Sequence, residues 1–167
     1  MSVREKRLNN DFQALSELVA NSGGTLAIIF TNGIPVYQYI IEYHCKGIEK
    51  IENNQPKFRT SHSIEITLGN NYPRERASAK FLTPIFHPNV YTNLNICLGN
   101  SWSMTETVSE LVLRIGKIIQ YTEDITNLNS PANANAKNWA MKNQALFPLD
   151  NQTFKSQITP QIAWQYF

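Results

Sequence analysis

Between Tyr37 and Cys45 the chain alternates. Tyr37, Tyr39, Ile41, Tyr43 and Cys45 fall on one side, and Gln38, Glu42 and His44 on the other. The alternation returns in Phe58, Thr60, His62, Ile64, Ile66 and Leu68. A period of two is the mark of a strand with one buried face. Turn residues bound these runs: Thr31-Asn32-Gly33, then Asn53-Asn54-Gln55-Pro56, then Gly69-Asn70-Asn71. A short apolar run, Leu26–Phe30, precedes them, and Ala77, Ala79 and Phe81 follow. The spacing predicts a meander of about four antiparallel strands, near the usual size of a small sheet.

Helical periods flank the meander. Leu8, Phe12, Leu15 and Val19 form one stripe, ended by Gly23-Gly24, because glycine takes the left-handed position after a helix. The clearest helix places Val108, Leu111, Val112, Ile115, Ile118 and Ile119 on one face. Thr107 and Glu110 supply its capping box. A further helix is expected around Ala134 to Gln144. Residues 83–102 are rich in Pro, Asn, Gly and Tyr without period, and a loop that long inside a domain is commonly functional. Leu146, Phe147, Phe154, Ile158, Ile162, Trp164 and Phe167 show no clean period, and this tail is expected to fold back on the rest. The order of elements is that of an α/β (α+β) protein. With 167 residues, one domain is the expectation.

Charge and cysteine content narrow the chemistry. A net charge of +2 disfavours nucleic acid as the main partner. Two cysteines make no disulfide framework and have no zinc spacing, so no metal is expected. No stretch is long and apolar enough for a membrane span, and the charged start, Met1 to Arg7, has no signal core. A reducing cytoplasm is the simplest setting for two free thiols.

The chemistry-bearing residues gather in the long loop: Phe86-His87-Pro88-Asn89-Val90, then Asn95-Ile96-Cys97-Leu98-Gly99, then Trp102. Taken alone, Cys97 reads as a small buried hydrophobe between Ile96 and Leu98. Cys45, on a strand face with Tyr37, Tyr39 and Tyr43, reads as core. The stretch Tyr72-Pro73, Phe81 to Val90, Ile96-Cys97-Leu98, Trp102-Ser103 and Ser130-Pro131-Ala132-Asn133 closely resembles the ubiquitin-conjugating enzymes. The order helix, four-strand meander, active-site loop, C-terminal helices is similar to that fold too. Bacterial members look closer than eukaryotic ones, by the tyrosine-rich second strand and the tail Leu146-Phe147-Pro148-Leu149-Asp150.

The resemblance implies a catalytic core over residues 1–145 and a C-terminal extension, 146–167, packed on it. Cys97 would accept the C-terminus of a ubiquitin-like modifier from an activating enzyme as a thioester and pass it to a target lysine. A thiolate suits both steps, being a good nucleophile and a good leaving group. Asn89 would donate its amide to the developing oxyanion, or hold the loop through side-chain-to-backbone bonds. His87, Pro88 and Trp102 are expected to be structural parts of the active-site loop. Arg4, Lys6 and Arg7 are candidate contacts to the activating enzyme, against the plain alternative of a solvated face. Asn129 stands where the family often has an Asp that gates the incoming lysine, with Glu123 and Asp124 nearby in sequence. Two loops that meet ligases in the family are altered here, to Arg74-Glu75-Arg76 and Trp102-Ser103-Met104-Thr105, which leaves the need for a ligase open. No cofactor is implied, and ATP is consumed by the activating partner. The bacterial relatives point to antiviral defence. Two rivals carry other functions: a non-catalytic modifier-binding scaffold of the same fold, and a thiol hydrolase pairing Cys97 with His44, His62 or His87.

Overall fold

The computed structural model describes residues 1–99, 103–122 and 128–154. Helix α1 (Val3–Ala20) leads into strands β1 (Leu26–Asn32) and β2 (Gln38–Tyr43), a hairpin of β3 (Gly47–Glu52) and β4 (Gln55–Arg59), then β5 (His62–Thr67) and β6 (Ser78–Phe81). Helices α2 (Val108–Ile119) and α3 (Ala134–Lys142) follow, with a short 3-10 turn at Gln144–Leu146. The main sheet is antiparallel and four-stranded, in the order β1-β2-β5-β6. It is the meander read from the sequence, with one addition.

That addition lies where two long alternations seemed continuous. The run starting at Tyr37 and the run ending at Leu68 each bend, around His44–Lys46 and Thr60–Ser61. Their far halves leave the sheet as the separate β3–β4 hairpin. Asn53 and Asn54 both have positive φ (50° and 61°), so the turn between Glu52 and Gln55 is a two-residue hairpin connection. Asn is among the few residues that tolerate this twist. The bend also explains Phe58. It sits on the hairpin rather than the main sheet, is partly exposed, and lies under the Lys46 ammonium, 4.1 Å from its ring centroid. The inward set of the second alternation therefore starts at His62 and continues through Ile64, Ile66 and Leu68.

Tyr39, Ile41, Tyr43, Ile64, Ile66 and Phe81 point to the covered face of the sheet and are fully buried. Helix α2 covers it with Val108, Leu111, Val112, Ile115, Ile118 and Ile119, all buried. Each such side chain contributes about 1.5–3 kcal/mol relative to exposure, which outweighs any helix propensity. The Tyr43 hydroxyl donates to the Val112 carbonyl at 2.9 Å, so this buried polar group has a partner on the helix.

On α1, Leu8 and Leu15 are buried but Phe12 is partly exposed. The residue between the two leucines on the inner face is Asp11, 1% exposed. Its carboxylate accepts from the Tyr72 hydroxyl at 2.6 Å, from Arg7 Nε at 2.8 Å and from the Val108 amide at 3.3 Å. A buried charge needs such partners. This one also sits at the N-terminus of α2, where the helix dipole favours an anion.

Beyond α3, Phe147 packs between Tyr121 and Trp139, with centroids at 4.8 and 6.4 Å. Gln120 and Gln152 are doubly joined: Gln120 Nε2 donates to the Gln152 carbonyl at 3.1 Å, and the Gln152 amide donates back to Oε1 at 2.8 Å. Phe154 closes this strap, edge-on to Tyr43 and against Gly116 of α2. Ile158, Ile162, Trp164 and Phe167 lie outside the described residues, as do Trp102, Glu123 and Asp124.

Candidate active site

The loop after β6 is built from backbone bonds to its surroundings. The Phe86 amide donates to the Ile48 carbonyl at 2.7 Å, which ties the loop to the β3–β4 hairpin. The Tyr121 hydroxyl donates to the Phe86 carbonyl. The chain then turns back on itself. Tyr91 and Asn95 are joined amide to carbonyl at 2.9 Å, and Leu94 takes a positive φ of 71°. The returning limb joins β6, the Ile96 amide donating to the Ala79 carbonyl at 3.0 Å. The next residue, Cys97, donates its amide to the Asn89 carbonyl at 2.8 Å. Residues eight apart in sequence thus become direct neighbours.

Cys97 is half-buried. Cys45 differs in every respect. It is 2% exposed, and burial, with the Asp150 charge second, pushes its thiol up to about 12. A thiol so held stays protonated and inert. Cys97 pushes the pKa of the Tyr91 hydroxyl up, by hydrogen bonding first and by charge second. Nothing in the sequence period singled out Tyr91, because the loop has no period. The usable signal is its place, two residues after Asn89.

His87 is fully buried, and burial lowers its pKa to about 3. Its Nδ1 accepts the Asn89 amide at 2.9 Å, so the neutral ring carries its proton on Nε2. Nε2 has no hydrogen-bond partner among the described residues, and the ring lies 4.3 Å from that of Tyr121. A neutral, enclosed imidazole with Nδ1 occupied braces the loop and has no lone pair to offer a thiol. The Pro88 carbonyl accepts from the amides of Ala132 and Asn133, at 2.8 and 3.1 Å. Those bonds bring the Ser130-Pro131-Ala132-Asn133 stretch to the His-Pro-Asn stretch, and Asn133 caps α3 from that position. Asn129 is exposed just before this junction. Asn89 itself is only 7% exposed. Among the described residues no group of His, Cys, Asp and Glu is placed to hold a metal ion.

The sequence model described as ubiquitin-conjugating enzyme matches residues 53–154, which include the whole loop. The chain belongs to the ubiquitin-conjugating enzyme family. It is 38% identical over 76 residues to ubiquitin-conjugating enzyme E2 2 of Mycosarcoma maydis, a match covering 44% of this chain and 39% of that protein. It is 36% identical over 85 residues to ubiquitin-conjugating enzyme E2 1 of Caenorhabditis elegans, covering 49% and 41%. The chain therefore spans about two fifths of the length of these curated relatives. A solved ubiquitin-conjugating enzyme structure from Trypanosoma cruzi shares the fold, with a TM-score of 0.60 over 83% of this chain and 90% of that one, at 17% identity. Among the described residues no helix is long and apolar enough to cross a membrane.

In this member of the ubiquitin-conjugating enzyme family the N-terminal basic residues have separate fates. Arg7 pairs with Asp11 at 2.8 Å, donates to the carbonyls of Met104 and Glu106, and lies over the Tyr72 ring. Arg4 donates to the carbonyls of Leu68 and Gly69, at 3.3 and 3.2 Å. Lys6 is exposed. Arg7 looked like a surface charge in the sequence because its partners other than Asp11 lie far along the chain.

Proposed function

We propose that this chain carries a ubiquitin-like modifier as a thioester on Cys97, taken from an activating enzyme and handed to a lysine of a target protein. The observation that carries the reading is the half-buried Cys97 thiol, held by its amide to Asn89, in a family of conjugating enzymes. In charging, the Cys97 sulfur attacks the carbonyl of the modifier's thioester and the activating enzyme's thiol leaves. In discharge, a lysine amine attacks the Cys97 thioester, the C–N bond forms, the C–S bond breaks and the thiolate departs. The amine's proton goes to solvent, since His87 is buried and neutral. Asn89 supplies its side-chain amide to the oxyanion, an effect worth about 3–4 kcal/mol in comparable sites. Asn129 lines the approach by hydrogen bonding, and Lys6 is the exposed basic residue of α1 offered to the activating enzyme.

Residues 1–145 are the core for this chemistry, with 146–167 as an extension laid on it. The tyrosine-rich second strand and the Leu146–Asp150 tail support a bacterial setting with antiviral conjugation as the role, and the two free thiols support a reducing cytoplasm. The test mixes the protein with ubiquitin, a ubiquitin-activating enzyme and ATP. A thiol-reducible adduct should form, vanish in Cys97→Ala and persist in Cys45→Ser. A normal adduct on Cys97→Ala protein would remove Cys97 from the mechanism.

A further inference from the structure

The chain entering Cys97 is fixed by a strand-like bond to β6 and by Asn89. The chain leaving it is fixed differently. Arg114 of α2 donates from Nη1 to the Leu98 carbonyl at 2.8 Å. Arg76, from the loop before β6, donates to the Gly99 carbonyl. Two guanidiniums thus grip the two carbonyls that follow the nucleophile, where Gly99 takes a positive φ of 76°. At that φ a residue with a side chain is strained, so this turn needs both glycine and a hold.

Arg114 is itself held. Its Nη2 meets the Glu106 carboxylate at 2.8 and 2.9 Å from the two oxygens, and its side chain is about a quarter exposed, at 23%. Its Nε is buried and has no hydrogen-bond partner among the described residues. An unpaired buried donor is destabilising, so stability alone does not explain this side chain. Leucine or methionine would serve the packing of α2 without that cost. An arginine answers a different need. Its rigid fork holds a carboxylate with one arm and aims a charged donor at a carbonyl with the other.

We infer that Arg114, aided by Arg76 and aligned by Glu106, is a positioning residue that sets where Cys97 points. This rests on the thioester reading of Cys97. Arg114 touches neither modifier nor amine. It acts through the Leu98 carbonyl, one peptide unit from the nucleophile. Reacting atoms must lie within about 3–3.5 Å and aligned, and a shift of about 1 Å can cost on the order of a hundredfold in rate.

The test compares wild type with Arg114→Met, which keeps the bulk and removes both donors, and Arg114→Lys, which restores one charged donor group. Two rates are read on each. The first is alkylation of Cys97 by iodoacetamide, located by peptide mass, which needs no modifier. The second is single-turnover discharge of a ubiquitin thioester to free lysine. Arg114→Met should discharge roughly tenfold or more slowly. Its Cys97 should alkylate severalfold faster, because the Leu98 carbonyl beside it is no longer pinned and the thiol is free to swing toward solvent. Arg114→Lys should recover most of both. Wild-type rates in Arg114→Met would overturn the inference. So would equal losses in both variants together with a lowered melting temperature, which is the behaviour of plain packing. If wild type never accepts ubiquitin, the thioester reading is what fails with that modifier, and the alkylation rates still decide whether Arg114 positions the thiol.

Discussion

The Asn89 carbonyl holds the Cys97 amide at 2.8 Å, so the residue offered to the oxyanion grips the nucleophile through its main chain. The two duties separate by mutation. Asn89→Ala keeps the carbonyl and loses the amide. Charging should stay near wild type, while discharge to lysine should slow by on the order of a hundredfold or more, because the lost donor binds the transition state better than the ground state. Single-turnover kinetics beside a melting curve read both. Equal loss in the two steps, with a lower melting temperature, would leave Asn89 as a loop brace only.

Acid should weaken the fold well above the carboxylate range. Burial lowers His62 to about 4 and His87 to about 3, against 6.5 for an unperturbed imidazole. Between those values the unfolded chain binds protons that the folded one refuses. The stability from burying neutral rings is therefore complete above pH 6.5 and falls as pH drops below it. With both groups the slope approaches about 2.7 kcal/mol per pH unit. Urea midpoints should be flat from pH 8 to 7 and decline from 6.5 to 5. A ring proton of His62 or His87 titrating near 6.5 by NMR would contradict the assignment.

A methyl group on α2 should unseat the C-terminal strap. A Cβ at Gly116 would fall 2.2 Å from the Phe154 ring. Gly116→Ala should cost about 1–3 kcal/mol through overpacking, although alanine is the better helix former. Phe154→Ala should cost about 3–5 kcal/mol. In the double variant the clash is gone, so adding Gly116→Ala to Phe154→Ala should be neutral or gain up to about 1 kcal/mol. Additive costs in denaturant melts would argue that the ring does not occupy that slot.

Charge reversal at neighbouring positions on α1 should give opposite phenotypes. Arg7→Glu sets a second carboxylate beside buried Asp11 and should cost about 3–5 kcal/mol. Lys6→Glu should change stability by less than about 0.5 kcal/mol. If α1 docks an acidic surface of the activating enzyme, Lys6→Glu should slow charging at low salt, with a smaller defect at high salt. Unchanged charging at low salt would mark Lys6 as a solvated charge.

The sheet and α2 were legible because their burial has a period: Ile64 and Ile66 alternate, and Leu111, Ile115 and Ile118 repeat at helical spacing. The β3–β4 hairpin was hidden because the bends at His44–Lys46 and Thr60–Ser61 do not interrupt the alternation of residue types. Asn53-Asn54, the turn between the two long alternations, closes this hairpin rather than joining two strands of the main sheet. Asp11 was passed over because a carboxylate on an apolar stripe looks like an interruption of the stripe rather than its anchor. The loop around Cys97 was found by motif alone. Arg114 and Tyr121, which bond the loop at Leu98 and Phe86, arrive from separate segments and leave no local pattern. Sequence spacing records which side of an element faces inward, and says little about which distant side chain meets it.

The single carboxylate shared by α1, Tyr72 and the first amide of α2 makes the amino terminus a foundation of the fold. Proteolysis before Ser2 would spare it. A cut after the third turn of α1 would strip the acceptor from a buried hydroxyl and a helix end at once, and would carry Arg7 away with it. What remains would not be a conjugating core minus a helix. It would be a chain whose central helix has lost its point of origin.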